Sequence, residues 1–189
     1  MDIAEKHRVC VDALRDFAEE TSATDVVIGL SGGIDSSLVA CLCCDVFGSE
    51  HVHGVLMPGP YSTSHSLIDA QELARALGIE TQQISINEPF QAFGRILSEH
   101  MGGFGGVAAE NTQARCRMII LMAISNMTGW LVVNTGNRSE AMMGYSTLYG
   151  DTVGAFAPIG GLYKTDVFAA SRFVNEQAEA SGLAAPIPE

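Results

Sequence analysis

The chain has 189 residues, of which 47% are hydrophobic and 17% charged; this fits one ordinary globular domain, residues 1–189, rather than two domains or a disordered tail. Ten Lys and Arg stand against 22 Asp and Glu, a formal net charge of -12, so the footprint of a general nucleic-acid or anionic-membrane binder is missing. No apolar run reaches the roughly 20 residues of a membrane-spanning helix, and no basic-then-apolar leader opens the sequence. Five cysteines (Cys10, Cys41, Cys43, Cys44, Cys116) lack a framework spacing and read as reduced thiols of a cytoplasmic protein.

In chain order, Ile3, His7, Cys10, Val11, Leu14 and Phe17 recur with helical spacing, which predicts an amphipathic helix over residues 1–20. Residues 25–30 form a short apolar run of strand length. A helix is expected over 36–47, ending at Gly48, and it carries Cys41, Cys43 and Cys44 in different directions, unlike a metal cluster. Residues 51–57 read as a second strand stopped by Pro58-Gly-Pro60, and 64–77 as a helix capped by Ser64 and stopped by Gly78. Residues 80–86 alternate like a strand, and 89–100 read as a helix. The glycine-rich stretch 101–106 is expected to be the most flexible. A long helix over 108–127, a fourth strand over 130–135 and a last helix over 164–181 complete the pattern. Strands alternating with helices, several of them nearly all apolar, imply an α/β fold: a doubly wound parallel sheet with helices on both faces. In such sheets ligands sit beyond the carboxyl ends of the strands.

The first strand runs straight into Ser31-Gly-Gly-Ile-Asp-Ser-Ser37 and then into a helix. Adjacent glycines let the backbone approach an anion, and the helix N-terminus adds N–H groups and a positive dipole end. Asp35 does not favour a bare phosphate and makes more sense holding a metal ion beside one. The ending is not Gly-Lys-Ser/Thr, so this is not a Walker loop, and Gly-x-Gly-x-x-Gly is absent too.

Ser-Gly-Gly-x-Asp-Ser resembles the pyrophosphate loop of the N-type ATP pyrophosphatases, which cleave ATP between its α and β phosphates. Four further segments resemble NAD synthetase in order and spacing. They are Met57-Pro-Gly-Pro-Tyr-Ser-Thr-Ser-His-Ser-Leu-Ile-Asp-Ala70, Glu110-Asn-Thr-Gln-Ala-Arg-Cys-Arg-Met118, Asn134-Thr-Gly-Asn-Arg-Ser-Glu140 and Gly144-Tyr-Ser-Thr-Leu-Tyr-Gly-Asp151. The wording of the last is closer to the glutamine-dependent branch. The resemblance implies an adenine nucleotide alpha-hydrolase-like fold. It also implies a ligase that adenylates deamido-NAD with ATP and lets ammonia displace AMP, forming NAD with release of pyrophosphate. The alternatives are another N-type ATP pyrophosphatase with a different acceptor, or a nucleotide-binding module inactive without the family's C-terminal segment.

By the same resemblance Gly29, Leu30, Ser31, Gly32, Gly33, Ile34, Asp35 and Ser36 wrap the ATP phosphates, with Thr135 and Lys164 also on ATP. Asp35 and Glu140 carry Mg²⁺ and the catalytic charge. Arg115 takes a phosphate or carboxylate of deamido-NAD. Asn111 and Glu140 are further substrate candidates, and Arg117 is left as a surface or interface partner. His51, His53, His65 and His100 form no metal spacing. A homodimer is implied, with the substrate site built across its interface.

Two departures qualify these expectations. Leu148 stands where the ammonia-dependent branch has a lysine, so that contact is not carried over. The family continues past Glu189 into a segment bearing Lys-Pro-Pro that closes over the site, so the expectation is either that this sequence is a piece of a longer chain or that its activity is impaired. No cysteine lies in a recognisable glutaminase setting, which makes free ammonia the expected nitrogen source unless a separate subunit delivers it.

Overall fold

In a computed structural model, which describes residues 1–188, α1 (Ile3–Thr21) leads into β1 (Val26–Gly29), α2 (Ile34–Phe47) and β2 (Val52–Leu56). These are followed by α3 (Ser64–Leu77), β3 (Glu80–Gln83), α4 (Asn87–Met101) and α5 (Gly106–Thr128). The chain then forms β4 (Leu131–Val132), α6 (Arg138–Met143) and α7 (Lys164–Ala180). The sheet order is β3-β2-β1-β4, and every pairing is parallel, with Val26 opposite both Val52 and Leu131 and His53 opposite Glu80.

The chain walks outward from β1 to β3, then returns past its start to place β4 on the other side of β1. Right-handed crossovers therefore put α2 and α3 on one face and α4 and α5 on the other. The apolar clusters follow this division. One joins Leu14, Leu38, Leu42, Leu73 and Val167 of the first face, with α1 and α7 packed there too. The other joins Val27, Val55, Phe90, Cys116 and Leu121 on the α4–α5 face. The expected doubly wound parallel sheet is the observed one.

Local differences have plain causes. β3 is exposed along its whole length and polar, as a sheet edge that must not recruit another strand should be. The ladder of β4 covers only two residues, after which Val133 bridges Phe156 instead. The turn between α4 and α5 is anchored, because Phe104 packs on Phe90 with ring centroids 5.4 Å apart. α6 is short and shows no apolar periodicity to read, but Asn137 and Glu140 close a reciprocal capping box at its start.

Cys41 and Cys43 are buried in the core, and burial pushes both thiols well above their ordinary range. Among the described residues no cluster of His, Cys, Asp and Glu has the makings of a three-ligand metal site. His51 and His53 both meet the Asp25 carboxylate, at 3.2 and 3.0 Å, and His53 stacks on Trp130. The His53 bond is the main reason that Asp25 is lowered to about 2.

Candidate active site

β1 has neighbours on both sides: the helices that follow β1 and β2 lie on one face, and the helices that lead into β4 lie on the other. This is the switch point where a crevice opens beyond the strand ends. A cavity of about 340 Å³ lies there, lined by Gly29, Leu30 and Ser31 after β1, Met57 and Pro58 after β2, and Asn134 and Thr135 after β4. Its size falls within the ~300–1,000 Å³ of small-molecule sites.

Hydrogen bonds fix the glycine loop. The Ser36 hydroxyl donates to the Gly33 carbonyl at 2.8 Å and lies 3.0 Å from the Ser31 hydroxyl, and the Gly33 N–H donates to Ser31 Oγ at 3.1 Å. Gly32 has φ +77°, and a Cβ there would run into the Ser66 backbone at the start of α3. Only glycine fits both the backbone angle and the space. α2 begins at Ile34 with Gly33 as its N-cap and no side-chain cap. Its first-turn N–H groups are thus left to whatever anion the loop receives.

Four residues from three distant segments meet beside this loop. Asp35, in the first turn of α2, pairs with the Lys164 ammonium at the start of α7. Its other oxygen accepts from Asn137 Nδ2 at 2.8 Å. Asn137 Oδ1 accepts from the Glu140 N–H at 3.1 Å, and the Asn137 N–H donates to Glu140 Oε2 at 3.1 Å. Lys164 is itself seated by its N–H on Ser139 Oγ at 2.9 Å. Asp35, Glu140 and Lys164, singled out in the sequence far apart, are therefore brought into one network, although they lie outside the lining of the cavity. The donor set suits Mg²⁺, which takes hard oxygen ligands and typically one or two carboxylates completed by substrate phosphates and water.

Thr135 and the loop residues Gly29, Leu30 and Ser31 line the cavity. Asn111 and Arg115 are placed elsewhere. Asn111 Oδ1 accepts from Thr147 Oγ1 at 2.8 Å, and Arg115 Nε donates to the Leu148 carbonyl at 3.2 Å, so both hold the 147–148 segment against α5.

Arg117 is the cationic residue in the cavity lining. Its Nε donates to the Met57 carbonyl at 3.1 Å, and burial lowers its pKa from the usual arginine value. Sequence spacing showed that Arg115 and Arg117 face different ways, but not which of them faces the crevice. Asn134, 9% exposed, was also missed. Its Nδ2 donates to the Asp151 and Val153 carbonyls, both at 2.8 Å, and its Oδ1 accepts from the Gly136 N–H at 2.7 Å. The same side chain thereby shapes the turn after β4 and holds residues 151–153 over the cavity.

Residues 6–188 match the family model described as NAD synthase. The chain is 48% identical over 175 residues to the glutamine-dependent NAD(+) synthetase of Thermotoga maritima, covering 90% of this chain and 30% of that protein. Among solved structures, the glutamine-dependent NAD+ synthetase of Acinetobacter baumannii in complex with ADP superposes with a TM-score of 0.94 at 39% identity, covering 100% of this chain and 35% of that one. The NMN synthetase of Francisella tularensis gives a TM-score of 0.83 at 32% identity, covering 92% and 71%. The chain thus spans about 30% of the length of the curated relative it matches. Near-complete coverage of this chain at these identities, on the same fold, makes it a member of the NAD synthase family.

Proposed function

We propose that this chain carries the synthetase step of NAD formation: the carboxylate of deamido-NAD attacks the α-phosphate of ATP, pyrophosphate leaves, and ammonia displaces AMP from the adenylated carbonyl. The observation that carries this reading is the convergence, beside one strand-end crevice, of the Ser31–Ser36 loop, the uncapped start of α2 and the Asp35–Asn137–Glu140–Lys164 network. A carboxylate is a poor acceptor of ammonia because its leaving group would be oxide. Adenylation replaces that oxide with a phosphate ester.

The loop N–H groups and the α2 dipole favour the anionic phosphates and orient the departing pyrophosphate. Lys164, already beside Asp35, supplies a mobile positive charge for the same phosphates. Asp35 and Glu140 would hold Mg²⁺, whose contribution is to neutralise charge on the phosphate oxygens. Asn111 and Arg115 fix the 147–148 segment and so shape the dinucleotide side of the site. Catalysis here is chiefly positioning and electrostatics.

Nitrogen arrives as ammonia in this reading, whatever releases it. The cysteines of the described residues sit in or against the core with thiols raised by burial, unlike an activated glutaminase nucleophile. A separate ammonia-donating subunit is compatible with this. A homodimer is supported by apolar residues left exposed along α4 and α5, among them Phe93, Ile96, Met101, Val107 and Ile119. No helix of the described residues is long and apolar enough to cross a membrane. The free thiols support a cytoplasmic enzyme.

A second reading is that the acceptor is the nicotinate mononucleotide, favoured by the 0.83 TM-score to an NMN synthetase. One experiment separates them. The chain is incubated with ATP, Mg²⁺ and ammonium plus either deamido-NAD or nicotinate mononucleotide, and the adenine and pyridine products are followed together by chromatography. AMP formed one-for-one with NAD supports the first reading, and AMP with NMN the second. ADP as product would overturn the α–β cleavage underlying both.

A further inference from the structure

We propose that Asn137 is a positioning residue that locks Asp35 and Glu140 into one divalent-cation seat, an inference that rests on the function proposed above. Asn137 is 2% exposed, and all its polar groups on the α6 side are used. Its Oδ1 caps α6 by accepting from the Glu140 N–H, and its own N–H donates to Glu140 Oε2. Its Nδ2 then reaches across 102 residues of sequence to Asp35 Oδ1 at 2.8 Å. A second tie between these helices runs through Lys164, which pairs with Asp35 and donates its N–H to Ser139 Oγ of α6; Asn137 is the link that meets both carboxylates directly.

The residue type follows from that double duty. Capping alone requires an acceptor, which Ser, Thr or Asp supplies equally well. Donation to a carboxylate at the same time requires an N–H on the same short side chain. Asp would set an oxygen against Asp35, Ser and Thr are too short to reach it, and Gln would displace the cap. Asn combines the two functions at the required length. Lys164 already neutralises Asp35 from the other side, so the amide is not needed to satisfy the charge. Its distinct contribution is direction: it fixes which way the Asp35 carboxylate faces relative to Glu140. Outer-shell partners of this kind typically change metal affinity by roughly 10- to 100-fold when removed.

The test uses Asn137→Ser and Asn137→Thr, both of which keep the cap and lose the donor to Asp35. Three quantities are measured: the thermal unfolding midpoint in EDTA, ATP affinity in EDTA by calorimetry, and Mn²⁺ affinity in the presence of ATP by electron paramagnetic resonance. The expected result is an unfolding midpoint and metal-free ATP affinity close to wild type, with Mn²⁺ binding weakened about 10-fold or more. Unchanged Mn²⁺ affinity overturns the proposal, as does an equal loss of ATP affinity in EDTA, which would mark a merely structural role. Failure of both variants to fold would likewise overturn it. If wild-type protein bound ATP but no Mn²⁺, the metal-dependent reading itself would fall, a result distinguishable from failure of the Asn137 assignment.

Discussion

The Arg117 guanidinium donates through Nε to the Met57 carbonyl at 3.1 Å, tying α5 to the end of β2 across the mouth of the crevice. The bond leaves the terminal nitrogens of a partly buried cation at the cavity lining. Arg115, two residues earlier, turns outward to the Leu148 carbonyl. Arg117→Ala removes both the charge and the donor to Met57. Hydrogen bonds to charged groups contribute about 1.5–3 kcal/mol, so ATP affinity is expected to fall roughly 10- to 100-fold. Arg115→Ala should leave ATP binding within about threefold and raise KM for the dinucleotide instead. Calorimetric titration of both variants with ATP checks the contrast, and equal losses would contradict the separation drawn between the two arginines.

This pair also marks the boundary of what the sequence discloses. Helical periodicity, strand-length apolar runs and the glycine loop after residues 25–30 are local signals, and the alternation they create compels a parallel sheet. Asp35 stands out in the glycine loop, and Glu140 and Lys164 are implied by the resemblance to NAD synthetase, yet nothing local says that α2, α6 and α7 begin at the same place. That depends on the reversal of strand order at β1 and on the Asn137 bridge. The place of Arg117, read from the sequence as a surface or interface partner, and of Asn134 in the crevice lining is hidden for a related reason. A cation on a mostly apolar helix and an amide at a strand end have common surface and turn roles, and only the crevice distinguishes them.

Gly32 and Gly161 form a matched pair for testing the loop. Gly32 is held at φ +77° with the Ser66 backbone where a Cβ would stand, whereas a Cβ on Gly161 would meet nothing within 4 Å. Gly32→Ala should cost about 1–3 kcal/mol from the backbone angle alone, with further loss from displacement of α3, and ATP binding should disappear with it. Gly161→Ala is expected to stay within about 0.5 kcal/mol of wild type, as a surface change away from special features does. Urea unfolding of the two variants reads both numbers. A neutral Gly32→Ala would show the loop to be less constrained than its geometry implies.

Lys164→Met should have opposite effects with and without nucleotide. The lysine neutralises Asp35, and exposed or part-exposed ion pairs of this sort contribute about 0.2–1 kcal/mol. Its removal is therefore expected to tighten Mn²⁺ binding to the nucleotide-free protein by no more than about fivefold. ATP binding should weaken about tenfold in the same variant, because the charge-assisted phosphate contact proposed for Lys164 would be lost. Parallel titrations with Mn²⁺ alone and with ATP alone test the sign of each change. If both weakened together, Lys164 would be supporting the site's shape rather than exchanging partners within it.

His7 provides a pH test away from the crevice. Its ring packs against Phe173 with centroids 5.5 Å apart, its Nε2 is buried without a hydrogen-bond partner among the described residues, and the nearest carboxylate, Asp45, is 3.8 Å away. Burial lowers its pKa below the ordinary 6.5, outweighing the attraction of Asp45, which alone would raise it. The unfolded chain consequently takes up this proton more readily than the folded one. The His7 contribution is fully present above pH 6.5 and declines as pH falls towards the folded pKa. Asp45 is raised from 3.8 by its own burial and acts in the opposite sense: the folded state holds that proton more tightly, so acidification through its range adds stability. A fall in unfolding free energy just below pH 6.5 would therefore come from the histidine. His7→Phe keeps a ring against Phe173 and removes the titrating group, so its urea midpoint should vary less over this interval than that of the wild type. A variant with the full wild-type decline would place the proton uptake on another residue.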